Sequence, residues 1–255
     1  MSPQPLSLLL LTHNSSSDLK KNFTWLKKCS RITEIVVIDD KSTDNSKALI
    51  KNLASQHQKV KIWSRGLMNN YSSQRNFGLA KITNDWLLWL DPDEQPSKGF
   101  IDFINHFDSS QYKVFSFPRT EFFLKHQLRY GETPHLRHIR LFHKSIGTFI
   151  NRVHEFWLAD QKAKYVNLPI CHYGNSTLKE FLHKINLYSS IRAEELFLQK
   201  TRPSLWQIIF FPLGKFVLNY FLRLGFLDST PGIIFALGLS FHSFLVRAKL
   251  WHLWQ

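Results

Sequence analysis

Cysteine is almost absent from this 255-residue chain; Cys29 and Cys171 are the two copies, and they lack the spacing of metal-ligand pairs. A cysteine metal site is therefore excluded, and no disulfide is expected. Glycine-rich phosphate loops are missing as well. Neither G-x-G-x-x-G nor G-x-x-x-x-G-K-[ST] occurs, which argues against a dehydrogenase or a P-loop enzyme. Acids are few, 19 Asp and Glu against 33 Lys and Arg, and the resulting charge of +14 suits an anionic partner such as nucleic acid or acidic lipid. Aromatic residues make up 15% of the chain, with Phe at 22 copies concentrated toward the C-terminus. No RNA-binding or helix-turn-helix signature accompanies them, so lipid is favoured and no nucleic-acid partner is expected. Met1-Ser2-Pro3-Gln4-Pro5 carries no basic segment, and Leu6–Leu11 reads as a strand rather than the core of a signal peptide. Repeats and low-complexity tracts are absent.

What is present begins with Asp91-Pro92-Asp93-Glu94, directly after the apolar run Trp86-Leu87-Leu88-Trp89-Leu90. The run has the length of a buried strand, so two carboxylates emerge at its carboxyl end, with Pro92 stiffening the turn between them. Asp91 and Asp93 can share one direction, since alternate extended residues do. Two hard oxygen ligands on a stiff turn suit Mg2+ or Mn2+, whose remaining positions substrate phosphates would fill. Upstream, Glu34–Ile38 ends in Asp39-Asp40, and Ser42 or Thr43 can cap a helix continuing through Ala48, Leu49, Ile50 and Leu53. Leu6–Leu11 ends in Thr12-His13-Asn14 and is followed by a helical stretch through Leu19, Phe23 and Leu26. Strands alternating with helices imply an α/β fold with a mostly parallel sheet, and ligands gather at the carboxyl ends of such strands.

These motifs, together with Gln74-Arg75-Asn76-Phe77-Gly78-Leu79-Ala80 read as a helix start, resemble the inverting family 2 glycosyltransferases over roughly the first hundred residues. The resemblance implies a GT-A type nucleotide-sugar-binding fold. It places Asp40 on the nucleotide base, Asp91 on the ribose or metal, Asp93 on the metal at the sugar diphosphate, and Thr12 and Arg75 in the same pocket. Pro92 departs from the small residue common there, but leaves both carboxylates in place.

Between Phe122 and Val153, Lys125, Arg129, Arg137, Arg140, Lys144 and Arg152 oppose Glu132 alone, with His126, His135, His138 and His143 interleaved. A basic segment of this kind could form the other wall of the crevice, facing diphosphate or an anionic acceptor, while a solvated charged face is the reading for most of the six. Arg140 stands out because Ile139, Leu141 and Phe142 flank it and fix its direction. Arg152-Val153-His154-Glu155 follows. Inverting transfer needs one base for the acceptor hydroxyl, and a carboxylate partly desolvated by Phe156-Trp157-Leu158 would have raised proton affinity. The Arg-Leu-Phe and Val-His-Glu segments resemble the lipopolysaccharide-core branch of the family, which assigns the base role to Glu155; a structural ion pair to Arg152 or Arg140 is the competing reading. His154 would orient the base or touch phosphate, and Glu94 would support the metal turn. Beyond Pro169, Ile170–Gly174 reads as a strand whose His172 is a candidate diphosphate or metal contact. A capped helix follows, with Thr177 and Glu180 as a capping box and an apolar stripe of Leu178, Phe181, Leu182, Ile185 and Tyr188.

From about Pro203 the chain is crowded with apolar residues in two runs. Lys215 and Asn219 interrupt the first and His242 the second, leaving uncharged stretches at or below about 17 residues, short for a bilayer crossing. Apolar helices rimmed by cations, Trp206, Trp251 and Trp254 fit the headgroup zone of an anionic membrane, turning at Leu227–Gly232. Two buried core helices are the alternative. The expectation is a GT-A glycosyltransferase domain at 1–200 and a membrane-interface helical region at 201–255, peripheral or monotopic on the cytoplasmic face of the inner membrane. Its reaction would be metal-dependent transfer of a hexose from a UDP-sugar, UDP-glucose foremost, to a lipid-linked glycan such as lipopolysaccharide core. A nucleotidyltransferase on a related fold and a basic membrane- or nucleic-acid-binding adaptor are the readings of other classes.

Overall fold

The structure, a computed structural model, describes residues 4–54, 56–108, 110–153 and 155–255. It comprises two compact units, one of residues 1–119 and 137–172 and the other of residues 120–136 and 173–255. The boundary expected at residue 200 falls inside the second unit.

In the first unit, β1 (Leu6–Thr12), α1 (Ser16–Asn22), β2 (Ile32–Asp39), α2 (Ser46–Leu53), β3 (Lys59–Ser64), α3 (Tyr71–Leu79) and β4 (Trp86–Leu90) alternate. They build a parallel sheet in the order β3-β2-β1-β4. Runs such as Leu8-Leu9-Leu10 and Ile35-Val36-Val37-Ile38 are apolar on both faces because both faces are covered. Leu8, Leu10, Ile35, Val37 and Leu88 pack with Leu19, Phe23, Ile50, Phe100 and Ile104. On the opposite face Leu9, Val36, Ile38, Leu87 and Trp89 pack with Phe142, Phe149 and Trp157. Helix α3 lies close enough that a Cβ on Gly78 would stand 2.5 Å from Leu9 Cδ1, which explains glycine there.

The chain continues through β5 (Glu94–Pro96), α4 (Lys98–His106) and β6 (Val114–Phe123), and β7 (His126–Leu128) precedes β8 (Arg137–His143). Strand β8 pairs antiparallel with both β4 and β6. The register with β6 jumps from Phe115↔Leu141 to Ser116↔Ile139, which leaves Arg140 as the extra residue of a bulge. A separate two-stranded sheet joins β9 (Gly147–Ile150) and β10 (Phe156–Ala159). Short β11 (Lys164–Tyr165) pairs with β6, and the start of β12 (Ile170–Asn175) pairs with β5, setting His172 opposite Glu94.

Several local expectations are corrected. Helix α2 starts at Ser46 after Asn45, so neither Ser42 nor Thr43 caps it. The Asp44 carboxylate receives the Ser46 and Ser16 N–H groups instead, and the Ser42 N–H goes to Asp39. Helix α3 begins at Tyr71, upstream of Gln74, because the Asn70 side chain accepts from the Ser73 N–H. Strand β3 escaped the sequence reading: it lies at the end of the strand order, is half-buried, and carries Lys59 and Lys61 in place of an apolar run. Lys61 pairs with the buried Glu34 of the neighbouring strand.

In the second unit, α5 (Leu178–Leu198) starts at the expected capping box, with the Glu180 N–H donating to Thr177 Oγ1 and the Thr177 N–H to the Glu180 carboxylate. Phe181 and Ile185 of its stripe pack against Phe123, Leu128 and Phe235, whereas Leu178 and Leu182 are exposed. Helices α6 (Leu205–Val217) and α7 (Ser229–Leu253) follow. With the π-helical turn Leu218–Leu222, α6 makes an apolar helical span of 18 residues, and residues 225–253 make a second of 29. Both are long and apolar enough to cross a membrane, which corrects the estimate from uncharged stretches alone. The hairpin turns at 223–228, earlier than expected; Pro231 instead sits in the first turn of α7, where its missing N–H is tolerated. Leu205, Trp206, Phe210, Phe211, Leu213, Phe221 and Leu222 are half to three-quarters exposed, against the alternative of two buried core helices.

Candidate active site

Strand order reverses at β1: β2 and β3 extend to one side, and the chain then returns to lay β4 on the other. In an open α/β sheet the crevice at such a switch lies beyond the carboxyl ends of the strands, here after Thr12 and Leu90. Thr12 is buried, and its hydroxyl donates to Asp39 Oδ1 at 3.1 Å. Asp39 also receives the Ser42 N–H and pairs with Lys47 at 3.0 Å. Burial pushes its carboxyl up, but these hydrogen bonds and the ammonium outweigh that and hold it below the usual range. Asp40 is more open; its Oδ1 accepts the Leu67 N–H at 2.9 Å, and His13 Nδ1 donates to its carbonyl at 2.6 Å.

The Asp91–Glu94 turn closes on itself. The Asp91 N–H donates to Glu94 Oε2 and the Glu94 N–H to the Asp91 carbonyl, both at 3.0 Å. Glu94 is fully buried and pairs with Arg140, so it supports the turn as expected. Arg75 lies at the centre: Nη2 donates to Asp91 Oδ1 at 2.7 Å, and Nε donates to Glu155 Oε1 at 2.8 Å. The Arg75 and Arg140 guanidiniums lie 3.9 and 3.6 Å from the Trp89 ring centre, and Arg140 Nη2 is 3.8 Å from Asp91 Oδ2. Burial would lower the Arg75 pKa, but the Asp91 and Glu155 charges drive it above its already high value. Burial would raise the Asp91 carboxyl; the two guanidiniums, opposed in part by Asp93, bring it below the usual range.

Asp93 faces His172, with Nε2 to Oδ2 at 3.3 Å, and Arg119 Nη2 donates to His172 Nδ1 at 2.5 Å. Because arginine can only donate, Nδ1 is the acceptor and Nε2 carries the proton toward Asp93. Asp91, Asp93, Arg75, Arg140, Glu155 and His172 are thus linked in the first unit, with Thr12 and Asp40 at the neighbouring strand ends. Glu155 pairs with Arg75, not with Arg140. His154 lies outside the described residues. Of the six cations from Lys125 to Arg152, Arg140 is the buried one, and the backbone N–H of Arg129 meets Asp228 within the second unit. Lys125, Arg129 and Arg137 are exposed, in keeping with a solvated charged face for most of the six. Arg119 and Trp89 were missed as site residues. Arg119 lies in β6 with no motif around it, and Trp89 read only as part of an apolar run.

Among the described residues no group of three or more His, Cys, Asp or Glu gathers in a metal-holding arrangement. Two acids on one turn, the Asp93 charge acting on Asp91, still form a donor set of the kind Mg2+ or Mn2+ uses when phosphate oxygens complete the shell.

The model of Glycosyl transferase family 2 matches residues 7–184. An uncharacterized glycosyltransferase of Rickettsia felis is 24% identical over 97% of this chain and 89% of its own length. The lipopolysaccharide core biosynthesis glycosyltransferase LpsC of Rhizobium meliloti is 23% identical over 97% and 92%. Among solved structures, the mannosyltransferase PcManGT from Pyrobaculum calidifontis, in complex with GDP-Man and Mn2+, is similar with a TM-score of 0.57 at 9% identity, covering 98% of this chain and 88% of that one. That likeness agrees with the GT-A fold, its sheet followed by apolar C-terminal helices. Because the family match spans well over half of its length, the chain belongs to glycosyl transferase family 2 and is a glycosyltransferase.

Proposed function

We propose that the protein transfers a hexosyl group, with inversion, from a UDP-sugar, UDP-glucose foremost, to a lipid-linked glycan of the lipopolysaccharide-core type. The observation that carries this reading is the double engagement of Arg75, which ties the Asp91 turn at the switch point to Glu155. One guanidinium thereby sets the spacing between a nucleotide-diphosphate pocket and a base. LpsC is named for lipopolysaccharide core biosynthesis and matches this chain nearly end to end, which supports the acceptor class. PcManGT, solved with GDP-Man and Mn2+, supports a divalent cation with a nucleotide sugar.

In this mechanism Asp40 meets the nucleotide base, with Thr12 keeping Asp39 in place beside it. Asp93 would hold Mg2+ or Mn2+, with Asp91 on the ribose or as second ligand. When bound, the cation supplies charge neutralisation to the departing diphosphate. Arg75 and Arg140 add fixed positive charge where negative charge develops. Glu155 accepts the proton of the attacking acceptor hydroxyl as the bond to the anomeric carbon forms. Glu155→Gln keeps the hydrogen bond from Arg75 but cannot take a proton. It is expected to reduce product about a hundredfold or more, read by mass spectrometry after incubating the full chain with UDP-glucose, Mn2+ and membrane extract. Undiminished turnover would remove Glu155 as the base.

Membrane association rests on the exposed apolar hairpin, with Lys200 and Arg202 before it and Trp251 near its end. The protein would lie on the cytoplasmic face of the inner membrane, its hairpin dipping into one leaflet. Full-length protein is expected to co-sediment with vesicles containing phosphatidylglycerol, more strongly at low salt. Changing Trp206, Phe210 and Phe221 together to serine should weaken that by about tenfold or more. Equal partitioning of parent and variant would exclude the hairpin as the anchor.

A further inference from the structure

The sheet places His172 between two groups of opposite charge. Strand β12 runs between β6 and β5, so His172, paired with Glu94, has Arg119 of β6 on one side and the Asp91–Glu94 turn on the other. Arg119 Nη2 lies 2.5 Å from Nδ1, and Asp93 Oδ2 lies 3.3 Å from Nε2. Neither side chain is sealed off: His172 keeps 11% and Asp93 20% of its surface exposed.

These two contacts leave the ring one arrangement of its proton. A guanidinium has hydrogens to give and nothing with which to accept, so a proton on Nδ1 would meet the Arg119 N–H head-on. The proton is on Nε2, directed at the Asp93 carboxylate. Turning the ring over would exchange Nδ1 with Cδ2 and Nε2 with Cε1, and both contacts would be lost together.

This is the reverse of how a metal-binding histidine is held. Such a residue binds through one nitrogen, keeps its proton on the other, and gives that proton to a carboxylate, a backbone carbonyl or water. Here the other nitrogen faces a group that can only donate. With Nδ1 taken by Arg119, a cation on Nε2 would require the ring to give up its last proton. What the ring can do is donate, and it faces the carboxylate to which the reading above gives the cation. Carboxylates that hold metals are themselves oriented by hydrogen bonds of this kind.

We propose that Arg119 and His172 are positioning residues: Arg119 and Asp93 together hold His172 as an Nε2–H donor, and His172 orients the Asp93 carboxylate for a divalent cation without ligating the ion. The inference rests on the metal role of Asp93 in the reading above.

Two measurements on the full-length chain test it. In protein labelled with 15N-histidine, long-range 1H–15N correlation spectra distinguish the two tautomers, and the His172 signals are those missing from His172→Gln. The Nε2–H pattern is expected in the parent and is expected to persist when Mg2+ and UDP are added. An Nδ1–H pattern, present at the start or appearing with Mg2+ and UDP, overturns the proposal. The second measurement is Mn2+ affinity in the presence of UDP, read from the electron paramagnetic resonance of the free ion. Arg119→Met removes a positive charge near Asp93, which by charge alone would tighten Mn2+ binding; loss of positioning is expected to weaken it about tenfold instead. His172→Phe should weaken it about as much, and His172→Gln, whose amide can donate to Asp93 and accept from Arg119, should recover most of that loss. Tighter or unchanged binding in Arg119→Met, unchanged binding in His172→Phe, or a glutamine variant as weak as the phenylalanine one overturns the proposal. Should Arg119→Met not fold, the parent spectra and the His172 pair decide the matter. A parent that binds no Mn2+ with UDP removes the metal role of Asp93 and this proposal with it, whereas Mn2+ binding with the Nδ1–H pattern removes the proposal alone.

Discussion

Asp93→Asn is expected to lower kcat/KM about a thousandfold while leaving the melting temperature close to that of the parent. The amide keeps the shape of the side chain and can still accept from His172 Nε2, so the link through His172 to Arg119 survives. What disappears is the negative charge that would hold a divalent cation against the departing diphosphate. Stabilising that charge contributes several kcal/mol, and each 1.4 kcal/mol is about tenfold in rate. Chelation of the parent should give a comparable loss, reversed by Mn2+ or Mg2+. Steady-state kinetics of both decide the matter: a variant as active as the parent, or a parent indifferent to chelator, excludes the metal role of Asp93.

Arg75→Met should show the opposite combination, loss of activity with loss of stability. The Arg75 side chain is almost fully buried, and its removal strands two carboxylates, Glu155 with 13% and Asp91 with 28% side-chain exposure, and uncovers one face of Trp89. Breaking one side of a buried ion pair typically costs about 3–5 kcal/mol; the partial exposure of Asp91 argues for the lower end, about 3 kcal/mol. For a chain of this size that is a fall of roughly 10 °C in melting temperature. Activity is expected to drop below detection, since Glu155 and the Asp91 turn lose their common tether. Arg75→Lys should recover part of the stability and little of the activity, because an ammonium cannot grip two carboxylates with the planar fork. Thermal melts alongside product assays test this, and an active, stable methionine variant would show that the tether is dispensable.

The parts of this architecture legible in the sequence are those where local composition and burial agree. Strands β1, β2 and β4 are continuous apolar runs because both of their faces are covered, and the acids that end β2 and follow β4 mark the carboxyl ends. The capping box at Thr177 and Glu180 is four residues long and needs no tertiary information. Strand β3 lacks such a run because it is half-buried, and Lys61 there serves the buried Glu34 rather than solvent. Helix α2 was placed too early because Ser42 and Thr43 have the chemistry of caps, yet the Ser42 N–H is taken by Asp39 and the Thr43 N–H by Asn14. In the site, Asp91, Asp93, Arg75 and Glu155 could each be named, but not their pairing. Arg75 and Glu155 are eighty residues apart in the chain, and their meeting depends on how β9 and β10 pack under α3. Arg119 carries no motif, and its place beside His172 comes from a contact that only the folded sheet creates.

The bulge at Arg140 bears on how this family can vary. A chain shortened by that one residue could still pair β8 with β6 in regular register, so hydrogen bonding alone would not oppose the deletion. Yet the guanidinium beside Glu94 and Trp89 would be gone, although Ile139 and Leu141 would keep the opposite facings that they already have beside Ser116 and Phe115. The extra residue in this strand is thus held by what its side chain engages rather than by pairing, and relatives that keep the Glu94 and Trp89 contacts would be expected to keep the bulge as well.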